Sequence, residues 1–387
     1  MDIKSIDKEY VAGTYARFPV SIVSGKGSLV YDENGKEYID LGSGIGVTAF
    51  GISDNEWVKA VTEQLTKVQH TSNLYYTEPC AKLAELLCKK TDMKKVFFSN
   101  SGAEANECAI KVARKYAFDK KGADYFTIIT LKNSFHGRTL TTLSATGQEH
   151  YHELFQPLTP GFEHIDSSNV DGLEELVINK KAAGIMIEVI QGEGGVLNTP
   201  AEFILEAYRI CQKHDVILII DEVQTGNGRT GKFYAYMNYG IKPDVVTTAK
   251  GLGGGLPIGA CILGDKVENV LGFGDHGSTY GGNPVCCAGA YNVISRIDDV
   301  LMNDVVRKRA LIDNTLNGAD GVISLSGIGL MVGIETKKKA SDVVKECIEN
   351  GVLCLSAKNK VRLLPALNIP DEVLVKAINI IKDVCKI

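Results

Sequence analysis

A lysine and an aspartate, each following an apolar segment, could act together on one cofactor. Lys250 comes shortly after residues 245–248 and is followed by glycines, and Asp221 closes the aliphatic segment 216–220. Pyridoxal phosphate (PLP) needs an amine that binds its aldehyde and an acid that keeps its ring nitrogen protonated. An isolated lysine is more often a solvated surface residue, but the small residues on both sides of Lys250 favour a functional one. The pair therefore predicts a PLP site.

Short apolar segments alternate with helical segments through the middle of the chain. This pattern predicts a mostly parallel sheet covered by helices on both faces. The carboxyl ends of such strands meet at one edge of the sheet, where ligands bind. The predicted strands are 95–99, 126–131, 184–189, 216–220, 244–248 and 259–263, and the predicted helices include 56–68, 78–90 and 104–117.

The two ends of the chain do not follow this alternation. Asn34-Gly35 separates two short apolar segments and predicts a hairpin. Beyond residue 284, helices precede three segments typical of antiparallel strands and a final helix from Pro370; the strands are 328–335, 352–355 and 361–364. We expect both ends to form one small domain, with residues 1–50 and 284–387, beside a large domain of residues 51–283.

Composition narrows the classes of function. The chain has 387 residues, 23% of them charged, and a formal net charge of −5. With no basic block, binding to nucleic acid or an anionic membrane is disfavoured. The first residues lack the apolar core of a secretory signal, and no apolar run approaches the about 20 residues that span a bilayer. Ten cysteines without a C-x-x-C pair are typical of reduced thiols, so we expect a cytoplasmic enzyme.

The turn from the strand at 95–99 into the next helix could bind a phosphate. Gly102 and Ala103 are small, so backbone N–H groups at the helix start could approach an anion, which the helix dipole also favours. Ser101 and Glu104 have the spacing of a capping box, which would explain the same residues without a ligand. The sequence leaves both interpretations open.

Two further loops carry side chains suited to a cofactor and its substrate. Phe135 could stack on an aromatic ring, and Arg138 could grip a carboxylate through two hydrogen bonds, although a core phenylalanine and a surface arginine would look the same. Glu188 and Glu193 end another predicted strand, where a functional carboxylate and an ordinary polar turn are both consistent with the sequence.

Two other patterns favour different sites, but weakly. Residues 226–231 match the dinucleotide pattern G-x-G-x-x-G, yet they lie five positions beyond the strand and no convincing helix follows. His150 and His152 are two positions apart, so on a helix they would point in different directions and make a poor metal site. We expect neither a nucleotide cofactor nor a metal.

Six segments, taken in order, resemble the class III aminotransferases, which are fold-type I PLP enzymes. They are SGAEAN (101–106), FHGRT (135–139), QGEGGV (191–196), DEVQTGNGRTG (221–231), AKGLGGGLPIGA (249–260) and GSTYGGNP (277–284). The resemblance covers nearly the whole chain. It implies an α/β fold, with a mostly parallel central sheet in a large domain and a smaller α/β domain built from both chain ends. It also implies a homodimer with active sites at the subunit interface.

The resemblance further implies which residues bind the cofactor and the substrates. Lys250 and Asp221 would be the catalytic pair. Cofactor contacts would come from Gly102, Ala103, Phe135, Asp221, Glu222, Val223, Gln224, Lys250 and Thr279, the last serving the neighbouring subunit. Substrate contacts would come from Arg138, Ser278, Glu193 and Arg362. Arg138 would hold the α-carboxylate of the amino donor, and Arg362 would hold the α-carboxylate of glutamate and 2-oxoglutarate. Glu193 would cover Arg362 when the amino donor binds.

The implied reaction moves the δ-amino group of N2-acetyl-L-ornithine to 2-oxoglutarate, giving N-acetyl-L-glutamate 5-semialdehyde and L-glutamate in arginine biosynthesis. Ile45 stands where ornithine 5-aminotransferases usually carry a tyrosine, which favours the acetylated donor. The family's Gly-His-x-His-Pro is absent from residues 51–55, close to the Ile45 loop, so this departure leaves other donors open. Alternative donors are ornithine, 4-aminobutyrate, succinylornithine and succinyldiaminopimelate. The alternatives outside the class are an NAD-linked dehydrogenase and a non-catalytic PLP-binding protein.

Overall fold

Helices and strands alternate along most of the chain in the computed structural model, which describes residues 3–387. The helices are α1 (Ile3–Tyr10), α2 (Ser43–Gly46), α3 (Asn55–Leu65), α4 (Glu78–Thr91), α5 (Gly102–Lys121), α6 (Leu140–Ala145), α7 (Asp171–Asn179), α8 (Ala201–His214), α9 (Pro284–Ser295), α10 (Asp299–Leu316), α11 (Ala340–Glu349) and α12 (Asp371–Cys385). The strands are β1 (Ile22–Lys26), β2 (Leu29–Asp32), β3 (Glu37–Asp40), β4 (Lys95–Ser99), β5 (Thr127–Leu131), β6 (Phe162–Ile165), β7 (Ala182–Ile187), β8 (Ile190–Gln191), β9 (Leu197–Asn198), β10 (Ile217–Asp221), β11 (Val245–Thr248), β12 (Gly259–Leu263), β13 (Val322–Ile328), β14 (Met331–Thr336), β15 (Val352–Leu353), β16 (Leu355–Ala357) and β17 (Lys360–Leu363). Within the described residues, no helix has both the length and the apolarity needed to cross a membrane.

The central sheet has seven strands in the order β4-β12-β11-β10-β7-β5-β6. All of them run in one direction except β12, which is antiparallel to both of its neighbours. The mostly parallel sheet that the sequence predicts is therefore confirmed, although β6 was not predicted. Strands β5, β7, β10 and β11 are buried at every position. That is why they read as unbroken apolar runs.

One edge of this sheet collects the ends of its strands. The carboxyl ends of β4, β5, β7, β10 and β11 lie there together, because these strands are parallel. Strand β12 begins at the same edge, since it runs in the opposite direction. The loops that carry most of the predicted functional residues consequently leave the sheet side by side.

A smaller four-stranded sheet joins the two ends of the chain. It has the order β1-β2-β3-β15, and Ile39 of β3 pairs in parallel with Val352 of β15. The predicted hairpin at Asn34-Gly35 is confirmed, with Gly35 at φ +78° between the antiparallel strands β2 and β3. The domain boundaries at residues 50 and 283 stay a prediction.

The single strand predicted at 328–335 is wrong. It contains parts of two antiparallel strands, β13 and β14, that reverse direction at Gly329, whose φ is +56°. The apolar residues Ile328 and Leu330 on either side of this glycine make the turn look like a continuous strand. Likewise, the segment 352–355 divides at Cys354, because β15 pairs with β3 and β16 pairs with β17.

Asp54 has a structural task within the segment that departs from the family pattern. Its Oδ1 accepts a hydrogen bond from the backbone N of Trp57 at 3.0 Å and so caps helix α3. The same carboxylate pairs with Arg296, with 3.1 Å between Oδ2 and Nη2. The sequence GISDN at 51–55 is therefore compatible with a well-anchored helix start.

Candidate active site

A cavity of about 480 Å³ opens at the edge where the strand ends meet. A volume of this order is typical of a small-molecule site. Lys250 and Asp221 both line it, as the sequence predicts. The other lining residues are Val47, Asn100, Ser101, Gly102, Ala103, Asn106, Phe135, His136, Gly137, Arg138, Glu188, Val223, Gln224, Ala249, Gly255, Leu256, Pro257 and Ile258.

Asp221 is buried and held by three donors. Its Oδ2 accepts hydrogen bonds from His136 Nδ1 and Asn106 Nδ2, both at 2.8 Å, and its Oδ1 accepts one from the backbone N of Val223 at 3.0 Å. The side chain is only 4% exposed. These donors stabilise a buried carboxylate, which can in turn stabilise a positive charge inside the cavity.

His136 and Asn106 are functional candidates that the sequence reasoning did not select. Each has a buried polar atom without a hydrogen-bond partner, His136 Nε2 and Asn106 Oδ1. Asn106 interrupts the apolar stripe of helix α5, and a buried polar residue inside such a stripe was the available signal. Both residues hold Asp221 in a fixed orientation.

Lys250 follows strand β11 and begins a short 3₁₀ turn, Lys250–Leu252, with φ +43°. Its side chain makes no hydrogen bond or ion pair to any residue in the range 3–387, so the amine is available to a ligand. Burial lowers the pKa of Lys250, and the carboxylate of Glu193 opposes that shift only in part. A lowered pKa favours the neutral amine, which is the form that reacts with an aldehyde.

The turn between β4 and α5 has both the capping contact and the free N–H groups of a phosphate site, the two interpretations that the sequence allows. Ser101 Oγ accepts a hydrogen bond from the backbone N of Glu104 at 3.2 Å, which is the capping contact. The backbone N–H groups of Gly102 and Ala103 bond to nothing else among the described residues and remain free for an anion. A Cβ on residue 102 would lie 2.7 Å from Val223 Cγ1, so glycine is required here.

The loop after β5 places Phe135 against the cavity and anchors it to Glu188. The backbone N of Phe135 donates a hydrogen bond to Glu188 Oε2 at 2.8 Å. Burial, together with the negative charge of Asp221, raises the pKa of Glu188 well above its usual range. Of the two interpretations left open for Glu188, the structure therefore favours a carboxyl group that belongs to the site, and the raised pKa favours its neutral form.

Arg138 is exposed and lines the cavity without a charged partner. Among the described residues, no hydrogen bond or ion pair reaches its guanidinium group. Its Cζ atom lies over the ring of Tyr151 at 4.7 Å from the centroid and near the ring of Phe135 at 5.7 Å. The donors of Arg138 are thus open to a carboxylate in the cavity.

Unlike Arg138, Arg362 is buried and paired with a carboxylate, that of Glu193. Its Nη1 lies 2.6 Å from Glu193 Oε1 and 3.1 Å from Gln224 Oε1. Arg362 is 3% exposed, and its Nε atom is buried without a partner. Although burial alone would raise the pKa of Glu193, the neighbouring Arg362 holds that pKa below its usual value. A second carboxylate could use the unfilled donors of Arg362 if Glu193 moved aside.

The remaining predicted site residues divide into those at the cavity and those elsewhere. Val223 and Gln224 line the cavity. Glu222 does not; its carboxyl group accepts hydrogen bonds from Thr225 Oγ1 at 2.5 Å and from the backbone N of Tyr236 at 2.8 Å, and no cofactor contact is supported by this position. Ser278 Oγ accepts from Asn100 Nδ2 at 3.2 Å, just beside the cavity. Thr279 is exposed and lies outside the lining.

The glycine-rich segment 226–231 is a structural turn. No helix follows it directly, and its Arg229 is buried with Nη1 donating to the backbone oxygens of Leu330 at 3.2 Å and Pro365 at 2.5 Å. The turn connects the end of β10 to segments near the carboxyl end of the chain. This arrangement explains the arginine and the glycines without a dinucleotide.

The residues present fit PLP. Its phosphate matches the free N–H groups at Gly102 and Ala103, its aldehyde matches the unpaired amine of Lys250, and its ring nitrogen matches the buried carboxylate of Asp221. Gly137 keeps the loop close to the helix start, since a Cβ there would lie 2.7 Å from Ala103 Cβ. These fits rest on the chemistry of the donors around one cavity.

Comparisons with known proteins identify the family of the chain. The family model "Aminotransferase class-III" matches residues 10–385. An acetylornithine aminotransferase from Haemophilus ducreyi is 48% identical over 384 residues, which are 99% of this chain and 98% of that protein. A succinylornithine transaminase from Salmonella paratyphi A is 44% identical over 374 residues, 94% of this chain and 91% of that protein. Among solved structures, an ornithine aminotransferase from Toxoplasma gondii with PLP partly occupying its active site superposes with a TM-score of 0.93 at 32% identity, covering 99% of this chain and 93% of that one.

Proposed function

The chain belongs to the class III aminotransferases, and from that membership we propose that it moves the δ-amino group of N2-acetyl-L-ornithine to 2-oxoglutarate. The products are N-acetyl-L-glutamate 5-semialdehyde and L-glutamate. This is the activity that the names of several relatives indicate for those proteins, at 40–48% identity over nearly the full chain.

The observation that carries the proposal is the contrast between an open guanidinium group at the cavity and a covered one beside it. Arg138 lines the cavity and has no carboxylate partner among the described residues, whereas Arg362 contacts the lining residue Gln224 and is paired with Glu193. A transaminase of this type must present a distal amine of one substrate and the α-carbon of another at the same position. Arg138 would hold the α-carboxylate of the donor, and Arg362, once uncovered, that of glutamate or 2-oxoglutarate.

Bound PLP would supply an aldehyde that takes up the amino group and a ring that withdraws electrons from the substrate carbon. Gly102 and Ala103 would hold its phosphate through backbone N–H groups, and Phe135 and Val223 would enclose its ring. Asp221, oriented by His136, would stabilise the protonated ring nitrogen. Gln224 would reach the ring hydroxyl.

Lys250 would move a proton at the substrate carbon that carries the reacting nitrogen. Burial supports this task, since the lowered pKa of Lys250 favours the neutral amine, which can accept a proton. Glu188, whose raised pKa favours the neutral form, would fix the backbone of Phe135.

The cavity wall supports a donor whose α-nitrogen is acylated. Its carboxyl groups belong to Glu188, whose raised pKa favours the neutral form, and Asp221, which already accepts three hydrogen bonds. Neither is free to pair with an α-ammonium group. Ile45 adds an apolar side chain to the nearby loop. A neutral acetamido group therefore loses less on entering this site than the charged ammonium of free ornithine.

A homodimer would complete the site. Thr279 is exposed and outside the cavity of its own chain, which is compatible with a contact to the cofactor phosphate of a neighbouring subunit. Ser278 would lie near the substrate through Asn100. The division into domains at residues 50 and 283 would let Arg362, on strand β17, shift relative to the sheet edge that carries Lys250.

A donor panel tests the function. Purified holoenzyme is mixed separately with N-acetylornithine, ornithine, 4-aminobutyrate, succinylornithine and succinyldiaminopimelate, and the loss of visible cofactor absorbance is followed in a single turnover. We expect N-acetylornithine to react with the highest ratio of rate to apparent Kd. A higher ratio for another amine would reassign the donor, and a nicotinamide requirement would contradict the transaminase.

Lys250→Ala tests the chemistry itself. This variant should retain bound PLP through the phosphate contacts but lose turnover by at least about 1,000-fold, because it lacks the group that moves the proton. Absorbance of the bound cofactor and glutamate formation are measured on the same sample. Turnover close to that of the unmodified enzyme would remove Lys250 from its assigned role.

A further inference from the structure

Tyr151 lies beside Arg138 but outside the lining of the cavity. It ends the 3₁₀ turn Glu149–Tyr151, is half-buried, and has the Cζ atom of Arg138 at 4.7 Å from its ring centroid. A guanidinium group over a tyrosine face is attracted by the negative charge of the ring face. The contact engages the face of the guanidinium group and so leaves its N–H donors free to point into the cavity.

The ring of Tyr151 is itself held on two sides. Phe135 contacts it in an edge-on arrangement, with 5.8 Å between centroids and 66° between planes. His150 packs against it at 3.9 Å with a 39° tilt. Such contacts fix the orientation of an aromatic side chain without a hydrogen bond. Tyr151 is therefore a defined surface for Arg138 and not a freely rotating side chain.

The turn that carries Tyr151 is tied to the loop that carries Arg138. The backbone N of Asn133 donates to Gly147 O at 2.8 Å, and the backbone N of Gly147 donates to Ser134 Oγ at 3.0 Å. The buried Gln148 adds a bond from Nε2 to Ser134 O at 3.1 Å. The two segments thus form one unit, in which the position of Tyr151 determines where Arg138 can lie.

We propose that Tyr151 is the positioning residue for the donor clamp, holding the guanidinium group of Arg138 ready for the carboxylate of the amino donor. This inference rests on the proposed function, in which Arg138 serves the donor and Arg362 serves glutamate. Without the ring, a long arginine side chain on an exposed loop samples many rotamers, and the carboxylate must order it on binding. Tyr151 therefore acts on any substrate that places a carboxylate at Arg138, including N-acetylornithine.

The test compares amino donors with and without a carboxylate in single turnovers of the holoenzyme. Tyr151→Leu should weaken apparent affinity for N-acetylornithine about 3- to 30-fold, the range that a cation–π contact contributes, and change that for a simple alkylamine without a carboxylate less than about twofold. Tyr151→Phe keeps the ring and should restore donor affinity. Tyr125→Leu is the matched control, because it removes a ring over Lys121 away from the cavity and should alter neither affinity.

A double variant separates this inference from the function on which it rests. If Tyr151 acts through Arg138, adding Tyr151→Leu to Arg138→Met should cause no further loss of donor affinity. Arg138→Met with unchanged donor affinity would contradict the clamp and the positioning role together. A loss in Arg138→Met without one in Tyr151→Leu would contradict the positioning role alone, as would an equal loss of affinity for the alkylamine in Tyr151→Leu.

Discussion

Arg138 and Arg362, the two predicted carboxylate clamps, lie in contrasting surroundings. Arg138 is exposed on a loop, packs against aromatic rings and has no carboxylate partner within residues 3–387. Arg362 is buried in strand β17 and is paired with Glu193 at 2.6 Å. A guanidinium group that is always open suits N-acetylornithine, whose carboxylate is far from the reacting amine. A guanidinium group covered by a carboxylate suits glutamate and 2-oxoglutarate, which would bind it only in their own half-reaction.

The difference teaches how a single cavity can distinguish two substrates that both carry carboxylates. In the proposed function, selection would not depend on two pockets of different size. It would depend on whether an internal carboxylate already pairs with the arginine, because a substrate would have to displace Glu193 to reach Arg362 but would displace nothing to reach Arg138. The variants described next break or sharpen this contrast.

Replacing Arg362 by methionine should have the largest effect. The glutamate half-reaction should fall about 100-fold or more, since charge-assisted hydrogen bonds to the α-carboxylate are lost, while the N-acetylornithine half-reaction should change less than about fivefold. Single-turnover absorbance measurements with each substrate give both values. Arg209→Met, which removes a surface arginine paired with Glu206, is the control and should change neither. Equal losses in both half-reactions of Arg362→Met would contradict the division of labour.

Glu193→Gln should reduce the difference between Arg138 and Arg362 without disrupting the cavity. The amide keeps the shape of the side chain but removes the charge that covers Arg362, so apparent affinity for glutamate should rise about 3- to 10-fold. N-acetylornithine should react more slowly, because its carboxylate can then bind Arg362 and hold the wrong end at the reacting centre. Glu206→Gln provides a surface control. Unchanged affinity for glutamate would show that Glu193 does not restrict Arg362.

The smallest effect is expected from Glu222→Gln, which replaces a buried carboxyl group and should change only how stability depends on pH. Burial raises the pKa of Glu222 to about 7, above its value of about 4.5 in the unfolded chain. Its contribution to stability is therefore fully present below pH 4.5 and is lost as pH rises through 7, with a slope of up to about 1.4 kcal/mol per pH unit. Glu222→Gln should lack this slope when the free energy of unfolding is measured between pH 5 and 8. The same slope in both proteins would contradict the raised pKa.

The sequence predicts those parts of the site that depend on where strands end. Lys250 and Asp221 follow apolar segments, and parallel strands bring such positions to one edge, so their meeting in one cavity was foreseeable. His136 and Asn106 were not selected, because their task depends on contacts with Asp221 from two other elements. Glu188 was noticed, but its raised pKa depends on burial and on the charge of Asp221, which the sequence does not show.

Other features resist prediction because tertiary contacts override local preference. Residues Ser43–Gly46 all have positive φ, including the β-branched Ile45 at +67°, although isoleucine strongly disfavours that region. Gly329 reverses the chain inside an apolar run that resembles one strand. The task of Thr279 depends on a second subunit, and so it stays a prediction.

The reversed direction of strand β12 also determines where this enzyme can be redesigned. Because Thr248 and Ala260 are paired neighbours, residues 249–259 form a short return between adjacent strands. At the far end, a Cβ on Gly259 would lie 2.2 Å from the backbone oxygen of Ser101. An insertion or a permutation break within this return would displace Lys250 and the helix start at Gly102 at the same time. A redesign of donor preference must therefore leave this return intact.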